Sequence, residues 1–128
     1  MKGDKKTNMI YTTYFGNLKN LPSHIRPIAI CRFLPPNLNI PHYPDLAPNE
    51  VAFYEGKHGD PKRFEELFNN QLSQLNPDVV VEDLYDLVPD EVDEIALVCY
   101  EKPNEVCHRH FVAKWLRDEG YPVKEWGE

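Results

Sequence analysis

Residues 95–110 read IALVCYEKPNEVCHRH, and their order decides the fold. The run 95–100 is apolar throughout, as in a strand covered on both faces. Glu101 ends it, Pro103 and Asn104 turn the chain, and Asn104 is placed to cap a helix over 104–119. At about 100° per residue, Phe111, Val112, Trp115 and Leu116 make one apolar stripe. His108 falls on that stripe, Arg109 and Cys107 on its two flanks, and His110 points to water. Gly120 stands where such a helix stops. A strand that runs into a helix is half of a parallel βαβ unit, and open α/β sheets place their sites at this kind of junction.

Working outward, residues 9–14 (MIYTTY) carry a strand signal that Gly16 and Asn17 end. Residues 27–32 (PIAICR) are a second apolar run with Arg32 at its carboxyl end. Prolines 35, 36, 41, 44 and 48 make 33–60 the least regular segment, closed to a long helix and a candidate lid. Asp60 and Pro61 open a helix whose apolar positions are 64, 67, 68, 72 and 75. Asn76-Pro77 ends it. The run 78–88 fits a strand by its valines, but Val80, Val81, Leu84, Leu87 and Val88 make a helical stripe, and helix is preferred. VKEW at 123–126 reads as a short last strand. The order β, β, loop, α, α, β, α, β predicts an α/β fold: a single small domain, a mostly parallel sheet with helices packed on it. Residues 1–8 read as a flexible tail and 9–128 as the domain.

The chain of 128 residues is 41% hydrophobic and 27% charged, as globular domains are. No apolar run approaches the roughly 20 residues of a membrane helix. The charged start MKGDKKTN leads into YTTYFGN, which is no secretory signal. Three cysteines without a Cys-x-x-Cys pair suit a reducing, cytoplasmic setting. A net charge of −7 argues against general nucleic-acid affinity, which needs cations for phosphates. Nine acidic residues and no Lys or Arg lie between Asp78 and Glu101, either a solvated face or a docking face for a basic partner.

The first turn of a helix offers unpaired N–H groups and partial positive charge to an anion or a thiolate. Cys107 is therefore a candidate nucleophile, or else a buried filler. Glu101 is a general base, or a partner that fastens Arg109. His108 moves protons, or is a satisfied core histidine. Arg109 and Arg32 are suited to grip a carboxylate or phosphate. The candidate catalytic residues are thus Glu101, Cys107 and His108, and the ligand-binding ones Arg32 and Arg109. Cys107 and His110 share a helix face, with His42 or His58 as further ligands, but the spacing matches no zinc pair and no metal is assigned. One residue separates Cys107 from Arg109, with no glycine loop between them, so a phosphatase cradle is excluded. No phosphate-binding glycine loop and no Gly-x-Ser-x-Gly elbow is present, and the sequence names no cofactor.

The stretch CYEKPNEVCHRHFVAKWL (99–116) resembles the signature of the domain-of-unknown-function 488 family: a strand, a Glu, then Cys-His-Arg opening a helix. The likeness extends to IYTTYFGNLKNLP (10–22), AICRFLPP (29–36) and NPDVVVEDLYDLV (76–88), nearly the whole chain, in the manner of the family's short branch. It implies a compact α/β domain with no settled activity. Longer members often end the second strand in Asp-Val-Arg. Here Ile30-Cys31-Arg32 keeps the arginine and lacks the acid. Glu101, Cys107, His108 and Arg109 carry over by position. The expected protein is cytoplasmic, an enzyme or degenerate enzyme that binds a small anionic ligand, with nucleotides among the candidates. The alternative is a non-catalytic binding module that uses its acidic face, with Cys-His-Arg as a clasp. Substrate, reaction and oligomeric state are not written in the sequence.

Overall fold

The computed structural model describes residues 8–100 and 108–127. Four parallel strands, β1 (Ile10–Tyr14), β2 (Ile25–Ala29), β3 (Glu94–Cys99) and β4 (Val123–Glu125), form one sheet in the order β2-β3-β1-β4. The helices are α1 (Glu50–His58), α2 (Pro61–Ser73), α3 (Pro77–Asp86) and α4 (His108–Asp118). This is the single α/β domain with a parallel sheet that the sequence predicts.

Alternation along β3 divides the core in two. Ile95, Leu97 and Cys99 face the helices, against Phe68 and Leu72 of α2, Val81 and Leu84 of α3, and Val112 and Leu116 of α4. Ala96 and Val98 face the other way, toward a smaller cluster with Tyr11, Trp126 and the 3-10 turn Phe15–Asn20. Both faces of β3 are therefore dry, which is why its sequence is an unbroken apolar run.

The helix starts obey their capping residues. Asp60 accepts from Lys62 N and Asn76 from Asp78 N, both at 2.9 Å, and a proline fills the first position of each helix. Residues 77–86 are thus helix, as the stripe indicates. Gly120, at φ +97, occupies the left-handed conformation that ends α4.

Two expectations need correction. The segment 33–60 contains a helix, α1, because its last proline is at 48 and Asn49 caps the residues beyond it, accepting from Ala52 N at 2.9 Å. The second strand lies at Ile25–Ala29, not 27–32. Ile30 N still donates to Val98 O at 2.9 Å, but the Cys31 carbonyl turns to His42 Nε2, 2.7 Å away, and the chain leaves the sheet. Pro27 is tolerated because β2 is an edge strand. Residues 1–7 of the expected 1–8 tail lie outside those described, as do 101–107 and 128.

Candidate functional site

In a parallel sheet all strands end on the same side, so the residues after β2 and β3 meet at one rim. The rim holds a cavity of about 470 Å³, lined by Cys31, Arg32, Phe33, Pro48, Phe53, Lys57, Tyr100 and His108. The backbone after β2 is pinned there twice. The Cys31 thiol and the Tyr100 hydroxyl both donate to the Phe33 carbonyl, at 3.2 and 3.1 Å. Tyr100 is itself set by an edge contact with Phe15, ring centres 4.9 Å apart.

This pinning sets out the cationic side of the cavity. The Arg32 guanidinium lies 5.2 Å from the Phe33 ring centre and 5.0 Å from that of Phe53. Lys57 Nζ is 5.6 Å from Phe53, one helical turn along α1. Among the described residues neither Arg32 nor Lys57 has a carboxylate partner. The described lining of the cavity contributes no carboxylate either. Lys57 was not singled out from the sequence, and Phe53 was not read there as part of a site. Their i, i+4 spacing behind the Asn49 cap was the available signal.

His108 forms the floor. It is 5% exposed, its Nε2 donates to the Ile30 carbonyl at 2.8 Å, and its ring meets the Phe68 ring edge-on. With the proton fixed on Nε2, Nδ1 is the nitrogen left to accept. Burial lowers the imidazole pKa to about 4; the Ile30 carbonyl opposes this and the Arg109 charge adds to it. His108 is therefore neutral at pH 7.

Arg109 is held inside the protein. It is fully buried, and Nε and Nη2 reach the Glu125 carboxylate at 3.0 and 2.8 Å. Nη1 is 3.2 Å from the Sγ of Cys99, which is disulfide-bonded and so departs from the reduced cysteines expected from the sequence, and the guanidinium sits 5.7 Å from the Tyr14 ring centre. Thr12 donates to the same carboxylate at 2.7 Å. The group thus ties α4 to the carboxyl ends of β1, β3 and β4. Glu125 was missed from the sequence, although an acid two residues after the inward Val123 must share its face.

The structure brings Arg32 and His108 into one cavity, whereas Arg109 is fully buried and does not line it. Glu101 and Cys107 lie outside the described residues. Among those described, no group of three His, Cys, Asp or Glu side chains is arranged to hold a metal. No described helix is long and apolar enough to cross a membrane.

Fold and rim together define a small parallel α/β protein with one helix-covered face and a cationic, aromatic cavity at the carboxyl ends of its strands. The family described as "Active DUF488-N3 subclade" matches residues 17–120, and the chain belongs to it. No curated protein and no solved structure matches.

Proposed function

We propose that this protein is an enzyme acting on a small anionic ligand, phosphate- or carboxylate-bearing, bound in the cavity at the sheet's carboxyl edge. The observation that carries the reading is the pair Arg32 and Lys57. Two cations without a carboxylate partner among the described residues face a cavity free of described acids, in a chain of net charge −7. An anion would neutralise them. Its charge would also raise the pKa of His108, so that the imidazole becomes a better base when the site is filled. Glu101 is proposed to act with His108; Cys99 is disulfide-bonded and Cys31 is the free cysteine among the described residues, so no thiol nucleophile is assigned. In this reading Arg32 and Lys57 bind the anion, and Arg109 fixes the start of α4, next to His108, through its bonds to Glu125. The word "Active" in the family's description accords with catalysis.

Thermal-shift screening with inorganic phosphate, small carboxylates and nucleotides tests this. At least one anion is expected to raise the melting temperature, and Arg32→Ala or Lys57→Ala to abolish the rise. A rise that survives both substitutions, or none with any anion at millimolar concentration, sinks the proposal.

A second reading has one observation in its favour. Val79 on α3 and Leu87 just past its end are 51% and 40% exposed beside the exposed acids Glu82 and Asp86, which suits docking of a basic, partly apolar partner. The acidic face is not wholly available for it. Asp78 and Asp83 accept hydrogen bonds from Tyr121 and Tyr43 at 2.6 and 2.9 Å.

A further inference from the structure

We infer that the anion is a nucleotide, its base stacked among Phe33, Phe53 and Tyr100 and its phosphate held by Arg32 and Lys57. This rests on the proposed anion site and names the ligand class. An inorganic anion would use the cations and leave the rings in water. Those rings are the unexplained part of the site: Phe33 is 71% exposed, Tyr100 53% and Phe53 37%, all three around one cavity. Large apolar side chains gathered at a concave site, with a few charged groups among them, are the makeup of a small-molecule pocket. Bases stack on aromatic faces and on guanidinium planes alike. Arg32, lying near two rings at 5.0 and 5.2 Å, offers both a stacking plane and a charge.

The floor adds a preference. His108 Nδ1 is an acceptor, because Nε2 already donates to Ile30. It is suited to a ligand with an N–H or O–H at that depth, which base amino groups and ribose hydroxyls supply and phosphate at neutral pH mostly does not. The neighbouring groove of about 710 Å³ shares Arg32 and Phe33 but carries Asp45 and Glu50, which disfavour a phosphate there. The phosphate is accordingly assigned to the smaller cavity. A free mononucleotide and the terminal nucleotide of a single strand present the same chemistry.

Isothermal titration of the full chain distinguishes these possibilities. The probes are AMP, GMP, CMP, ribose 5-phosphate, adenosine, and a short single strand with and without a 5′-phosphate. At least one nucleotide is expected to bind about tenfold or more tightly than ribose 5-phosphate, the lower range of one base–aromatic stack. Phe33→Ala and Phe53→Ala should erase that advantage while ribose 5-phosphate still binds. Arg32→Ala and Lys57→Ala should weaken both. Phe33 and Arg32 lie at the surface, so an unchanged melting temperature verifies folding. Equal binding of ribose 5-phosphate and all nucleotides, or an advantage that survives both Phe substitutions, overturns the nucleotide assignment and leaves the anion reading intact. Failure of every phosphate to bind overturns the nucleotide assignment, and if carboxylates fail as well the anion reading falls with it. A phosphorylated strand that binds more tightly than AMP, GMP and CMP supports a strand end as the source; the reverse order supports the free nucleotide.

Discussion

His108 carries its ring proton on Nε2 in the folded protein, because the Ile30 carbonyl 2.8 Å away accepts it. A second proton would charge a buried ring beside Arg109, and the pKa drops from 6.5 to about 4. Above pH 6.5 folded and unfolded chains both hold a neutral imidazole, and the group costs nothing. Between pH 6.5 and about 4 the unfolded chain takes up a proton that the folded chain refuses, so stability falls as pH falls. The loss across that window is on the order of 3 kcal/mol, and below it this group adds no further slope. Urea unfolding from pH 7 to pH 4 should show His108→Gln losing less stability than the parent; parallel curves would refute the assignment. Arg109 makes a different prediction. Arg109→Met leaves the Glu125 carboxylate, 6% exposed, charged and without its guanidinium. A loss of about 3–5 kcal/mol is expected from breaking such a buried pair. Combining it with Glu125→Leu should restore much of that stability, since apolar pairs often replace buried ion pairs at little cost. A single-variant loss under about 1 kcal/mol in urea would show that the pair is not the tie described.

At the scale of the element, α1 decides whether a cavity exists, because it brings Phe53 and Lys57 against the rim. Its entry is clamped by one side chain of α2. Gln71 accepts from Asn49 N at 2.9 Å and donates to the Ala47 carbonyl at 2.7 Å. Gln71→Ala removes both bonds and should cost about 1–2 kcal/mol. Amide exchange should speed up over residues 47–58 before it does in β3, and ligand-induced stabilisation should shrink. Uniform exchange changes would mean that α1 is not held by this clamp. The same element shows what the sequence conceals. The β3–α4 unit, the Asp60-Pro61 and Asn76-Pro77 starts and the Gly120 stop are local signals, each complete within a few residues, and they were legible. The α1 helix was hidden because five prolines dominate the surrounding segment, although all precede its cap. The Arg109–Glu125 pair was hidden for another reason. It depends on β4 joining β1 in parallel, with Thr12 beside Glu125, and a three-residue strand announces no partner. Arg32 at the rim was legible because an apolar strand ending in a charge has only one end at which to place it. Its aromatic setting came with α1.

Across the whole molecule, charge is divided between the two ends of the sheet. The amino end gathers Glu91, Asp93 and Glu94 with His24, whose Nε2 is 3.4 Å from Glu94 Oε1. The carboxyl end presents Arg32 and Lys57 in a cavity without described acids. In a chain of net charge −7, the proposed anion site is thus the cavity that Arg32 and Lys57 line. This restricts the kind of polyanion it can hold. Each phosphate neutralised contributes roughly 0.7–0.9 to the slope of log affinity against log salt. Two cations therefore limit the slope for a phosphorylated single strand to between about −1 and −2, whereas a protein that tracks a nucleic-acid backbone through many contacts reaches about −10. The acidic remainder repels the rest of a long strand, so lengthening the oligonucleotide should add little affinity once its terminal nucleotide is seated. Titrations at about 50, 100 and 200 mM salt with strands of increasing length measure both quantities. A slope steeper than about −4, or affinity that climbs steadily with length, would demand more phosphate contacts than Arg32 and Lys57 provide and would place the binding surface elsewhere on the molecule.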